Sequence, residues 1–310
     1  MRGLRGVYNI LSTPFTPDGA LDEASLRRLT EATIGMGVDG ITILGVAGEA
    51  QKLLDAERRR VIEIVMEVNA GRVPIIIGTS RDGTDATVAA CREAQALGAA
   101  GVMVAPPTFL QPGPALTRHY ERVAATIDIP IVLQDFPPVN GVTLSPQAMA
   151  DLVRAVPAIT TIKLEDTPTP QRVAQTLALL DGQATIVGGL GGVYLLDELR
   201  RGASGTMTGF AYPEILVRIW RAWDAGDRDG AAATYYRYLP LLVFEGQPKL
   251  GVAIRKEILR RRGLIACARL REPGPRLDEG TRADLEETLR FLAIDAAFPP
   301  LPAAQPAGEA

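Results

Sequence analysis

The sequence predicts an α/β fold, a TIM (β/α)8 barrel followed by a C-terminal extension of three helices. Two observations point to it. Short β-branched runs recur at intervals of roughly thirty residues, each followed by a longer stretch with helical apolar spacing, which is the alternation of βα units. The runs are also apolar with little alternation, as expected of strands covered on both faces of a parallel sheet, and eight βα units close naturally into a barrel. An open, doubly wound sheet is the alternative arrangement.

Eight runs lie at residues 7–10, 40–43, 73–77, 101–104, 130–133, 159–162, 184–187 and 205–208. After the first, Pro17-Asp18-Gly19 has turn chemistry, and Leu26, Leu29, Thr33 and Met36 share one helical face. After the seventh, Gly188-Gly189-Leu190-Gly191-Gly192 has the look of a dinucleotide fingerprint. Tyr194 stands where its last glycine would be, however, and the segment follows the seventh strand, so it reads as a glycine-rich barrel loop. Three further helical patterns follow at 231–242, 250–262 and 281–292, with a loop holding Pro273 and Pro275 before the last. The expected division is a barrel over 1–225, a helical extension over 226–295 and a Pro/Ala-rich, disordered tail over 296–310.

With 47% hydrophobic and 22% charged residues the chain has a globular composition. A net charge of -3, with Lys and Arg interspersed among Asp and Glu, gives no basic stripe for a nucleic acid. Cys91 and Cys267 are far apart and lack metal-ligand spacing, so they read as buried, reduced thiols. No apolar stretch is long enough to span a bilayer and the N-terminus lacks the apolar core of a signal peptide, so a cytoplasmic protein is expected. The single histidine, His119, sits in a helical pattern and reads as solvated or interfacial. One histidine cannot build a multi-histidine metal cage or serve most serine triads, which leaves acid and base work to carboxylates, hydroxyls or lysine. No metal and no cofactor is expected.

The chemistry gathers at strand ends. Lys163 closes the run Ile159-Thr160-Thr161-Ile162 and is followed by Glu165 and Asp166. A lysine at the mouth of a buried strand can lose solvation, which favours the neutral amine that attacks a carbonyl to form a Schiff base. On local sequence alone it can equally snorkel to water and pair with its acidic neighbours. In a barrel the active site lies at the C-terminal ends of the strands. The segment 45–49, Gln134-Asp135, Lys163-x-Glu165 and the segment 188–192 all fall there.

Thr13-Pro14, Gly45-x-x-Gly48-Glu49, Pro137, Ile162-Lys163 and Gly205-x-x-x-Gly209, each after or around its strand, together resemble one known family. It is the pyruvate-dependent class I aldolases and dehydratases typified by dihydrodipicolinate synthase and N-acetylneuraminate lyase, and the resemblance covers roughly residues 6–292. It implies a TIM barrel with three C-terminal helices, Lys163 as the Schiff-base lysine, a small 2-keto acid as partner, and a homo-oligomer, tetramer or dimer. Departures are informative. The family's usual Gly-Thr-Thr-Gly-Glu is here Gly45-Val46-Ala47-Gly48-Glu49, without the two hydroxyls that would bind a keto-acid carboxylate and relay a proton. Backbone N–H groups of Val46 and Ala47 could still hold a carboxylate. Gln134-Asp135 replaces a proton-shuttling tyrosine and asparagine, and glutamine exchanges no proton near neutral pH. The substrate-gripping arginine of dihydrodipicolinate synthases would fall at Val139, which can form no ion pair.

Gln134-Asp135 with Lys163-x-Glu165 instead resembles the branch that dehydrates 2-keto-3-deoxy sugar acids, particularly 2-keto-3-deoxy-L-arabinonate dehydratase. The expected roles are Lys163 as nucleophile, Glu165 either as the base at C3 or only as the ion-pair partner of Lys163, and Gln134 as a hydrogen-bond partner of a substrate hydroxyl. Thr13, Gly45, Val46, Ala47, Gly48, Asp135, Gly188 and Gly189 are the substrate-binding candidates, with Asp135 and Glu49 also readable as structural supports. A pyruvate-dependent aldolase and a non-catalytic keto-acid sensor are the rival functions.

Overall fold

Strands β1 (Gly6–Ile10), β2 (Gly40–Ile43), β3 (Ile75–Gly78), β4 (Gly101–Val104), β5 (Ile131–Asp135), β6 (Ile159–Leu164), β7 (Thr185–Val187) and β8 (Gly205–Thr208) form one parallel sheet. The structure, a computed structural model, describes residues 3–298. The strand order is β7-β6-β5-β4-β3-β2-β1-β8. Its two ends meet, because Gly188 bridges Thr206 in parallel, donating to the Gly205 carbonyl at 3.1 Å and accepting from Met207 at 2.9 Å. Each strand thus pairs with its sequence neighbours and the circle closes. The open, doubly wound alternative requires the order to reverse at a switch point, and it does not.

Every expected strand is present. β5 and β6 each extend two residues past the runs read from sequence, which sets Gln134 directly opposite Lys163 in the ladder. Side chains alternate across each strand. Tyr8, Ile10, Ile76, Met103, Val132, Val187 and Met207 fill the barrel interior. Ile41, Ile43, Ile75, Ile77, Val102, Val104, Leu133 and Ile162 join the larger core between barrel and helices. Burying each such side chain contributes about 1.5–3 kcal/mol, which explains the near-continuous apolar character of the runs.

The first helix, Glu23–Gly35, starts where Asp22 accepts from the Ser25 N–H, and it buries Leu26, Leu29 and Thr33. After the barrel come helices Arg228–Glu245, Gly251–Arg261 and Glu279–Phe291, then a short turn of helix at Ile294–Ala297. Phe298 is buried against Tyr212 and Tyr238, with ring centroids 5.7 and 5.9 Å apart. Described structure therefore reaches into the segment 296–310, and the rest of that expected tail, 299–310, lies outside the described residues.

Two expectations are corrected. His119 is not solvated: it is 2% exposed, edge-on to Tyr120, with Nδ1 3.0 Å from the Thr84 hydroxyl. Burial holds its pKa below the usual histidine value. Of the two free cysteines, Cys91 is buried and its thiol is pushed up to about 11, whereas Cys267 is only half-buried. No described helix is long and apolar enough to cross a membrane.

Candidate active site

Lys163 projects inward from β6, two residues beyond Thr161 and on its face, and is 3% exposed. Glu165, the next residue on that face, is 5% exposed and places Oε2 2.5 Å from the Lys163 Nζ. The same oxygen accepts from Gln134 Nε2 at 3.2 Å. The other, Oε1, accepts from the Leu190 N–H at 3.3 Å. Three segments therefore converge on one buried amine–carboxylate pair: the ends of β5 and β6 and the loop after β7. Such a pair needs its remaining hydrogen-bonding positions filled to tolerate burial, and Gln134 and Leu190 do this for Glu165.

The glycine-rich loop is shaped by acids rather than by a nucleotide. A Cβ at Gly189 would lie 2.4 Å from Glu165 Oε1, and one at Gly188 would lie 1.7 Å from Glu198 Oε2. Only glycine lets the backbone come this close. Glu198 is fully buried, accepts from the Thr169 hydroxyl at 2.5 Å, and burial pushes its carboxyl up to about 8. Gly191 donates to the Thr208 hydroxyl at 2.8 Å, fixing the loop to β8.

Asp135 does not join this group. It follows Gln134 on the strand and so faces outward, where its nearest cation is Arg172 at 3.7 Å. Both its oxygens are buried and, among the described residues, neither has a close hydrogen-bond partner; burial pushes the carboxyl up to about 7, with Arg172 and the Leu144 backbone acting against that rise. The substrate-binding expectation for Asp135 is thus replaced by a position behind the site. Glu49 is likewise a support. It adopts a left-handed φ of 54° and accepts from Lys256 Nζ at 2.5 Å, Lys52 Nζ at 2.9 Å and the Arg271 N–H at 3.0 Å.

Across the barrel from β6, the chain after β2 makes a tight turn at Val46–Gly48. Thr13 donates to the Gly48 carbonyl at 2.6 Å, so its hydroxyl proton is used in holding the turn. The Val46 and Ala47 N–H groups precede the turn's own hydrogen bonds, which begin with Gly48 donating to Gly45. They remain available to an anion. The turn shares no hydrogen bond with Lys163, and the space between them is the barrel mouth.

Glu198, Arg172, Lys52, Lys256 and Arg271 are supports that the sequence reading passed over. Lys256 had a readable signal: it shares a helical face with the apolar Ala253 and Leu259, and all three are buried. The others rest on contacts between residues distant in sequence. Among the described residues no group of three or more His, Cys, Asp or Glu side chains is placed to hold a metal ion.

The barrel agrees with the comparisons. L-2-keto-3-deoxyarabonate dehydratase of Azospirillum brasilense is 37% identical over 93% of this chain and 94% of its own. A 4-hydroxy-tetrahydrodipicolinate synthase of Sorangium cellulosum (strain So ce56) is 35% identical over 93% and 96%. The solved structure of a dihydrodipicolinate synthase from Rhodopseudomonas palustris superposes with a TM-score of 0.87 at 34% identity, covering 94% of this chain and 99% of that one. Matched by the sequence profile of the Dihydrodipicolinate synthetase family over residues 3–292, the chain belongs to that family and is a lyase of the aldolase and dehydratase kind.

Proposed function

We propose that the protein dehydrates a 2-keto-3-deoxy sugar acid of the pentonate type through an imine on Lys163. The observation that carries this reading is the Glu165 carboxylate held between Lys163 Nζ and Gln134 Nε2, at the place where a tyrosine relay would otherwise serve an aldolase. Lys163 Nζ attacks the C2 carbonyl and water leaves, giving an iminium that acidifies the C3 hydrogen. Glu165 takes that proton, and the resulting enamine expels the C4 hydroxyl, which leaves as water with the proton Glu165 held. A proton then moves from C5 to C3, which leaves an enol across C4 and C5; C4 takes a proton as the enol hydroxyl gives one up, so C5 becomes an aldehyde, and hydrolysis of the imine frees Lys163 and 2-oxoglutarate semialdehyde. Gln134 hydrogen-bonds a substrate hydroxyl and keeps Glu165 aimed at C3. The Val46 and Ala47 N–H groups receive the carboxylate, with Thr13, Gly45 and Gly48 shaping that turn and Gly188 and Gly189 allowing the loop to reach Glu165.

The similarity to the Azospirillum dehydratase supports this substrate class. The similarity to a 4-hydroxy-tetrahydrodipicolinate synthase at nearly the same identity favours a second reading, a C–C bond-forming or bond-breaking enzyme that uses pyruvate. Incubation with 2-keto-3-deoxypentonate separates the two. The dehydratase yields 2-oxoglutarate semialdehyde with no pyruvate, and stoichiometric pyruvate would overturn that assignment in favour of the aldolase. The expected assembly is a homo-oligomer, dimer or tetramer, which light scattering reads directly.

A further inference from the structure

We infer that Arg255, from the C-terminal helix Gly251–Arg261, reaches over the barrel rim and grips the carboxylate of the 2-keto acid. This assignment rests on the reading that a keto acid condenses with Lys163. Arg255 is 8% exposed. Among the described residues its guanidinium donates one hydrogen bond, from Nε to Glu245 Oε1 at 2.6 Å. The second oxygen of Glu245 is occupied by the Ala211 N–H at 3.0 Å. The two terminal nitrogens, four of the five donors of a guanidinium, are left for another acceptor. Neither terminal nitrogen is among the buried atoms without a partner, so both stay within reach of a ligand's oxygens.

Their position identifies that acceptor. Gly209 lies two residues beyond Met207, an interior side chain, and so faces the same way one layer nearer the mouth. A Cβ there would lie 2.3 Å from Arg255 Nη1 and 3.1 Å from Ala47 Cβ, so the guanidinium fills the space that glycine leaves, beside Ala47. Ala47 itself packs against the interior cluster and belongs to the turn whose Val46 and Ala47 N–H groups are open to an anion. The two hydroxyls lacking from that turn are thus answered by a fixed positive charge from another element. A forked donor with one arm anchored on Glu245 matches a planar, two-oxygen anion, which a carboxylate is.

The test is borohydride trapping of the Lys163 adduct, titrated with pyruvate and with methyl pyruvate, which keeps the ketone and lacks the charge. Arg255→Lys keeps a cation for Glu245 but cannot span both partners. It is expected to raise the half-saturating pyruvate concentration ~10–100-fold, the worth of a charge-assisted hydrogen bond, and to leave that of methyl pyruvate unchanged. Gly209→Ala leaves Arg255 in the chain but puts a methyl where its Nη1 sits, and the same selective loss is expected. Equal weakening of both ligands, or no weakening of pyruvate, in two folded variants would overturn the role and leave Arg255 as a partner of Glu245 alone. A wild-type protein trapped by neither ligand would instead overturn the Schiff-base reading, and this assignment with it.

Discussion

Glu165 is the residue on which the proposed chemistry turns, because three donors aim it: the Lys163 amine, the Gln134 amide and the Leu190 N–H. Glu165→Gln keeps the shape and two of these contacts but cannot take a proton. Turnover is expected to fall ~10²–10⁴-fold while the trapped Lys163 adduct still forms, read by kcat beside adduct mass. Full turnover in that variant would make Glu165 an ion-pair partner only. Two buried acids behind the site bear on stability. The Glu198 carboxyl is pushed up to about 8 by burial, and that of Asp135 to about 7. Between the ordinary carboxylate range and those values the folded state holds protons that the unfolded chain has lost. Their contribution is therefore fully present at low pH and drains as pH rises through the folded values. Glu198→Gln, a neutral isostere of the protonated acid, is expected to flatten that decline when urea midpoints are compared from about pH 5 to about pH 9. An unchanged slope would mean that Glu198 is ionised in the fold.

At the scale of elements, the site is held by short irregular pieces that regular strands position. Leu44, Glu49 and Leu190 are all non-glycine residues with left-handed φ, at 57°, 54° and 46°, and all lie at the barrel mouth. Such backbone persists only where surrounding contacts over-determine it, as the triple grip on Glu49 does. The loop after β7 depends on close approach. Gly189→Ala would set a methyl against the Glu165 carboxylate, and we expect it to lower kcat by at least ~10-fold with the fold intact by circular dichroism, since the cost falls on aiming the base. Unaltered kcat would show that the loop does not orient Glu165. This scale also shows what a sequence can and cannot disclose. The strands were legible because eight apolar runs recur with one spacing, and Lys163 because a charge at the end of such a run is unusual. The outward turn of Asp135 was legible too, since adjacent strand residues face opposite ways. So was the burial of His119, which shares a helical face with the buried Leu116, Tyr120 and Val123. The grip of Arg172 on Asp166, and of Glu245 on Arg255, depends on which elements neighbour each other in three dimensions, and no local pattern carries that.

For the molecule as a whole, the barrel divides the labour by direction. The interior is closed by apolar side chains from Tyr8 to Met207, so substrate meets the protein only at the mouth, where β5, β6 and the loops after β2 and β7 end. The C-terminal helices complete that mouth from outside, through Lys256 on Glu49 and Arg255 beside Gly209. A barrel truncated before Arg228 would lose both, and it is expected to lose turnover together with the fixed shape of the 45–49 turn, read by activity and by proteolysis within that turn. An equally active truncation would show that the helices only shield the barrel. The central claim is that Lys163 forms an imine with a 2-keto acid. Its most direct test is borohydride reduction in the presence of 2-keto-3-deoxypentonate, followed by mass mapping of the modified peptide. A reduced adduct on Lys163, with a mass already short of one water, is the result this account predicts. An unmodified Lys163, in protein that turns the substrate over, would contradict it.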